Sequence, residues 1–479
     1  MSNNLNFIIA DKVYSKITDG THDSPKQREV GKPLITSKHI KGRNIDFESA
    51  YLISEADFNK INERSQVHKW DVIVSMIGEY CGYCYIERNE NINYAVKNVG
   101  LYKTGSKLEA EWLYYYLISP IGKAILNSVK SGSSQPYLTL GGLRKLPILQ
   151  PVNKESKVKI VKVLSDLDAK IELNNKINSE LEAMAKTLYD YWFVQFDFPV
   201  PDTEPVEVSG LRQAQSPSQA QSPKKGYKSS GGKMVWNEAL KREIPEGWEV
   251  KELEWYINND KSGDWGKENE EGNYTQRVYC VRGADINGLN GKGELKTPER
   301  YILEKNLFKT LDSHDLIVEI SGGSPTQSTG RLAYITEQTL ERFDAPIICS
   351  NFCKAVTLKE DKYFFNFVME WNAIYDAGVL FGFEGKTSGI KNLLFESFVT
   401  SFKTVVPPIE LAEKFYDFMS PLQVKKEKNL KENQELASLR DWLLPMLMNG
   451  QVTVGDEILR QAQDDKLGMV AESGNEYKK

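Results

Sequence analysis

An apolar stripe of one helical period is written twice in this chain, 251 positions apart. Ile160, Leu164, Leu167, Ile171, Asn174, Asn178, Leu181, Ala185, Leu188 and Trp192 step by four and three residues. That spacing keeps one side of a helix against a partner helix. The same steps recur at Leu411, Phe415, Phe418, Leu422, Lys425, Asn429, Glu432, Leu436, Leu439 and Leu443. Both stripes turn polar at the same point, with Asn178 matching Asn429. Asn174, Asn178 and Asn429 at seam positions fix the register of a helix pair at some loss of stability. Residues 160–192 as a helix span about 50 Å at ~1.5 Å per residue. Two matched helices separating two matched segments act as a ruler holding two similar modules apart.

The segments before the helices also match. Asp71-Val-Ile-Val-Ser-Met-Ile77 reads as a strand and pairs with Asp315-Leu-Ile-Val-Glu-Ile320, with glycine shortly after each, at Gly78 and at Gly322-Gly323. Leu34 to Ile40 pairs with Tyr279 to Ile286, and Tyr51-Leu-Ile53 with Tyr301-Ile-Leu303. His68 and His314 both lie shortly before the Asp-led strand, which makes them structural equivalents. Each module closes on a Gly/Ser/Thr loop, Ser131 to Gln135 and Gly385 to Gly389, before a proline-marked helix entry. The reading is a mixed α/β fold in six parts. Residues 1–150 and 245–406 are two similar domains. Residues 151–196 and 407–450 are long antiparallel coiled helices, 197–244 a flexible linker rich in Pro, Ser, Gln and Lys, and 451–479 a disordered tail. Pro421 predicts a kink or break near Ser420. Asn449-Gly450 marks the stop of the second helix.

Composition bounds the function. Apolar content of 40% in 479 residues suits two globular domains. No run approaches a membrane span, and the N-terminus lacks a signal pattern, so the expected location is cytoplasmic with no membrane partner. Five scattered cysteines fit a reducing compartment. Residues 1–150 carry 19 basic against 15 acidic side chains, residues 245–408 carry 18 against 25. An acidic second module needs a locally basic face if it is to touch phosphate.

Enzyme chemistry is not visible. Gly385-Lys386-Thr387 resembles the end of a phosphate loop, but Leu380 stands where that loop needs glycine. There is no Asn-Pro-Pro or Asp-Pro-Pro tract, and the Pro201-Asp202 pair lies in the linker. Cys81-x-x-Cys84 and Cys349-x-x-x-Cys353 sit at non-equivalent places in the two modules, so small buried cysteines are the simpler reading than a zinc site. No metal ligand and no catalytic residue is assigned.

Ile17-Thr-Asp-Gly-Thr-His-Asp-Ser-Pro25 resembles the specificity subunits of bacterial type I restriction-modification enzymes. The resemblance continues through Lys38-His-Ile40, Tyr51-Leu-Ile-Ser54, Asp71 to Gly78, Lys170 to Asn175, Leu188 to Val194, Ile244 to Trp248 and Leu439 to Pro445. It is weaker in the second module, where Gly263-Asp-Trp-Gly266 replaces Asp19-Gly-Thr-His22. The resemblance implies two target-recognition domains, each reading one half of a split site in double-stranded DNA. It also implies two DNA methyltransferase subunits and two restriction-translocase subunits as partners. S-adenosylmethionine, ATP and Mg are implied for those partners, with no cofactor on this chain. A coiled-coil interaction scaffold that binds no DNA is the competing reading, favoured by the acidic second module.

Base reading needs side-chain donors and acceptors in the groove, with Lys and Arg on phosphates. In the first module the candidates are Thr21, His22, Asp23, Lys26, Ser37, Lys38, His39, Ser134, Gln135 and Tyr137. In the second they are Arg282, Gly283, Lys386, Thr387 and Ser388. Tyr191, Trp192 and Phe193, with Trp442 as their counterpart, either anchor a module or present aromatics to the methyltransferase, anchoring being the preferred reading.

Overall fold

The computed structural model describes residues 6–132, 135–151, 153–200, 226–293, 295–322, 324, 326–387, 389–452 and 454. The chain divides into two compact units, residues 1–172 with 434–479, and residues 173–433.

In the first unit a four-stranded antiparallel sheet runs in the order Ile17–Asp19, Val99–Tyr102, Val72–Ser75, Cys84–Ile86. A second sheet places Lys32–Thr36 between Leu52–Ile53, antiparallel, and Ala95–Lys97, parallel. Val72–Ser75 is buried along its whole length because both of its faces are covered. Val72 and Val74 point into a core with Trp112, Leu113 and Tyr116 of helix Lys107–Ile118, whereas Ile73 points into a core with Ile35, Val96 and Leu101. Alternation of period two thus feeds two cores from one strand. Each fully buried aliphatic side chain contributes about 1.5–3 kcal/mol.

The second unit repeats this plan strand for strand. Ile257–Ser262, Cys353–Leu358, Leu316–Glu319 and Leu332–Tyr334 form its four-stranded antiparallel sheet. Tyr274–Val281 lies between Glu299–Leu303, antiparallel, and Ile347–Cys349, parallel. Leu316 and Val318 again face one core while Ile317 faces another. Details repeat as well. Asp71 accepts from the amide of His68 at 2.6 Å and Asp315 from the amide of Asp312 at 2.9 Å. The residue before each aspartate takes a left-handed backbone, Trp70 at φ 70° and His314 at φ 71°. The two histidines are therefore not equivalents: Trp70 is the counterpart of His314.

The two long helices run Lys154–Tyr189 and Ile409–Met448, and each contributes to both units. Within the first unit Val161 and Leu164 pack with Leu444 and Leu447, and within the second Ala185 and Tyr189 pack with Ala412, Phe415 and Met419. The sequence runs oppositely in the two members, an antiparallel pair. Three features depart from the expected seam. The helix is not broken at Pro421, which is exposed while Met419, Gln423, Lys426 and Leu430 are buried around it. That burial outweighs the roughly 3 kcal/mol a helical proline costs. Lys425 and Leu439 are exposed, and Lys426 takes the inner position instead, 2.6 Å from Glu182. The first helix ends in a π-helical turn, Asp190–Val194, whose wider winding turns Phe193 inward and leaves Trp192 half-buried.

The expected linker is also partly structured. Met234–Asn237 and Arg242–Pro245 form a hairpin, and Phe198 stacks on Tyr227 and Trp248 at 4.7 and 5.2 Å. Aromatic burial anchors this end of the segment, while residues 201–225 lie outside the described residues. So does nearly all of the tail; a pentad Leu-Arg-Gln-Ala-Gln written at 211–215 and again at 459–463 falls once in each of these two stretches. All five cysteines are buried, and burial pushes the thiols of Cys84, Cys280 and Cys349 up to about 12. Among the described residues no helix is long and apolar enough to cross a membrane.

Candidate nucleic-acid interface

In the first unit five loops are tied together at one edge of the sheet. Gly20 lets the chain cross the strand Ala95–Lys97, since a Cβ there would lie 2.5 Å from the carbonyl oxygen of Val96. Thr21 donates its amide to Val96 and accepts from the amide of Asn98. Asn98 holds a left-handed φ of 55°. His22, exposed, is oriented between Asp19 and Asn98, with Nε2 3.0 Å from Oδ2 and Nδ1 3.1 Å from Oδ1. The buried Asp19 is also paired with Arg64.

The next loop is a short 3-10 turn, Ser37–His39. Ser37 donates from Oγ to the carbonyl of Asn98 at 2.7 Å and accepts from the amide of Met76 at 3.2 Å. His39 Nδ1 accepts from the amide of Thr36 at 2.9 Å. Both side chains point inward, so Ser37 and His39 brace the loop and do not face solvent. Lys38, between them, points out. The closing loop joins the same edge, because Tyr137 pairs with Ser131 and Ile77, and Gly78 donates to the carbonyl of Pro136. Gln135 and Tyr137 are exposed, whereas Ser134 lies outside the described residues. Asp23 is exposed, its amide held by Thr21 Oγ1 at 3.1 Å. Lys26 sits with Arg28 and Lys60 around a separate shallow cavity of about 360 Å³.

Sequence reasoning missed part of this edge. Lys41 Nζ lies 4.0 Å from the ring centre of Tyr80, Tyr83 is 49% exposed, and Lys130 reaches Gly82. The signal was the run Gly78-Glu-Tyr-Cys-Gly-Tyr83, in which glycines and aromatics alternate on a loop. Cations beside exposed rings suit phosphates and bases together.

The second unit has the same turn with different chemistry. After Tyr274–Val281 comes the 3-10 turn Gly283–Asp285, with Asp285 accepting from the amide of Arg282 at 3.0 Å as His39 does from Thr36. Asp285 also holds the Arg282 guanidinium at 2.7 and 2.9 Å, so that this arginine is committed within the fold. Gly283 is buried, and a Cβ there would meet Glu319 at 2.6 Å, so that only its backbone lines the surface. Lys386 and Thr387 lie on a strand, Glu384–Thr387, hairpinned to Ile390–Leu393, which is no phosphate loop. Their side chains and all of Ser388 lie outside the described residues. Trp192 and Phe193 pack on Phe415 at 6.1 and 5.2 Å, anchoring the helix end to its unit, while Tyr191 and Trp442 are 44% and 63% exposed.

Residues 20–183 match the family model described as type I restriction modification DNA specificity domain. Over 78% of this chain and 76% of the relative, it is 24% identical to the type I restriction enzyme MjaIX specificity subunit of Methanocaldococcus jannaschii. Residues 20–183 are thus similar to a type I DNA specificity domain. A shorter stretch, 28% of this chain and 30% of the relative, is 30% identical to the HindI specificity subunit of Haemophilus influenzae. Among solved structures, a type I S subunit from M. genitalium matches with a TM-score of 0.49 and 15% identity, over 93% of this chain and 97% of that one. The matched stretch takes in the loops of the first interface and most of the first long helix.

Proposed function

We infer that this chain is a specificity subunit, the non-catalytic DNA reader of a type I restriction-modification complex, each unit contacting one half of a split target. The observation that carries the reading is the repetition of one strand order in both units, with a loop cluster at the same edge of each. In the first unit His22, Gln135 and Tyr137 supply the exposed polar contacts, with Lys38, Lys41, Lys97 and Lys130 toward phosphate. The direct Asn178–Asn429 bond supports a helix pair held in one register. Methyltransferase and restriction subunits, two of each, dock on the assembly, and S-adenosylmethionine, ATP and Mg belong to them. A scaffold that binds no DNA accounts for the helices but leaves the matched loop edges without a role.

Selection from a random duplex library by the chain co-purified with its methyltransferase tests the reading. Enrichment of a two-part consensus with an unread spacer is the expected result; a soluble complex that enriches nothing sinks it.

A further inference from the structure

The equivalence of the two units places one pair of residues at the same point of the scaffold. In the first unit Ser75 pairs with Val99, and the next amide, Met76, donates to the carbonyl of Asn98. In the second Glu319 pairs with Cys353, and the next amide, Ile320, donates to the carbonyl of Phe352. Asn98 and Phe352 are therefore counterparts, an amide in one unit and a phenyl ring in the other.

Around Phe352 the second unit has a cavity of about 650 Å³, lined in part by Trp265, Ala284 and Ile390, with Arg282 and Arg331 beside them. Its charged groups are already engaged. Arg331 is held by Glu319 at 2.9 and 2.7 Å, and Arg282 by Asp285. Beside the exposed Asn351, the large solvent-exposed side chains of the lining are apolar: Phe352 is 53% exposed, Ile390 44%, and Trp265 38% with the Arg300 guanidinium 4.3 Å from its ring centre. A surface of this kind has little to offer a guanine, which is read by a free arginine or lysine. The apolar feature a base presents in the major groove is the 5-methyl group of thymine.

We propose that Phe352, flanked by Trp265 and Ile390, reads a thymine through its 5-methyl group in the half-site contacted by the second unit. The inference rests on the DNA-reading role proposed above. It also fits the acidic balance of this unit, because methyl recognition needs no added positive charge. Asn98, at the matching place, would give the first unit an amide, suited to adenine.

The test uses the full chain with its methyltransferase and duplexes carrying its consensus, with thymine replaced by uracil in one half-site at a time. Uracil in the half-site of the second unit is expected to weaken binding about fourfold per buried methyl group. Uracil in the other half-site leaves binding unchanged. Phe352→Asn, at an exposed position, abolishes the sensitivity to uracil and relaxes the consensus in that half only, whereas Phe352→Leu keeps both. Sequence-specific binding with equal affinity for thymine and uracil overturns the inference and leaves the reader role standing. So does a consensus with no thymine in the affected half. Absence of any sequence-specific binding overturns the reader role and this inference with it.

Discussion

Asn429 donates from Nδ2 to Oδ1 of Asn178 at 2.8 Å, a bond between two residues 251 positions apart that occupy the same place in the repeat. Asn178 in turn donates to the carbonyl of Lys426 at 3.3 Å, and both side chains are buried. Replacing one partner strands the other. Asn429→Leu is expected to destabilise the chain by about 1–3 kcal/mol in urea unfolding. Asn178→Leu with Asn429→Leu recovers most of that loss, since two apolar groups leave nothing unsatisfied. A double variant as unstable as the sum of the singles argues against a paired role.

Asp168 on the first long helix is held in a clamp, accepting from Arg43 at 2.8 Å, Arg440 at 2.8 Å and the Tyr115 hydroxyl at 2.6 Å. Its side chain is 2% exposed. Although burial works against charge on Arg43, Asp168 holds the guanidinium well above its ordinary range. Asp168→Asn removes the buried partner that the two arginines share, leaving Arg43 with Glu172 and Arg440 with Asp441, and is expected to cost roughly 3 kcal/mol, the low end for a broken buried pair. Thermal unfolding measures it. A shift under 1 kcal/mol removes the clamp from the determinants of the first unit.

His39 gives the stability a pH dependence. Burial, with Lys38 adding to it, pushes its imidazole below the ordinary value, and Nδ1 already accepts from the Thr36 amide. The neutral form is thus favoured in the fold. Its contribution is fully present above the unfolded value of about 6.5 and is lost as pH falls from there through the lower folded value. His39→Asn, which keeps an acceptor for Thr36, should flatten the thermal midpoint across that window. An unchanged slope in the variant assigns the dependence to other groups.

Lys38 is exposed between two inward-facing residues. Lys38→Ala is expected to weaken binding to all duplexes alike and to reduce the slope of log affinity against log salt by about 1. Fluorescence anisotropy at several salt concentrations reads this directly. Loss confined to one sequence makes Lys38 a base contact instead.

The repeat was legible because helical and strand periods survive in the apolar residues: Val72–Ser75 and Leu316–Glu319 are found where their runs place them. The inner face of the second helix was read one residue off at Lys425, because burial of Lys426 depends on Glu182, which lies on the other helix. Pro421 misled because local propensity says nothing of the packing around it. At the interface, sequence could mark the loop but not the direction of each side chain. Ser37 and Lys38 are both polar, yet one bonds the Asn98 carbonyl and the other faces water. Asn98 and Phe352 went unnoticed because their equivalence exists in strand register and not in residue type.

The most direct measurement is a genome-wide map of adenine methylation by single-molecule sequencing, in cells expressing this chain with and without its methyltransferase partner. The account predicts a two-part motif with an unread spacer, present only when both are expressed, and altered in one half alone by Phe352→Asn. A soluble complex that methylates no such motif, or a motif that ignores this chain, contradicts it.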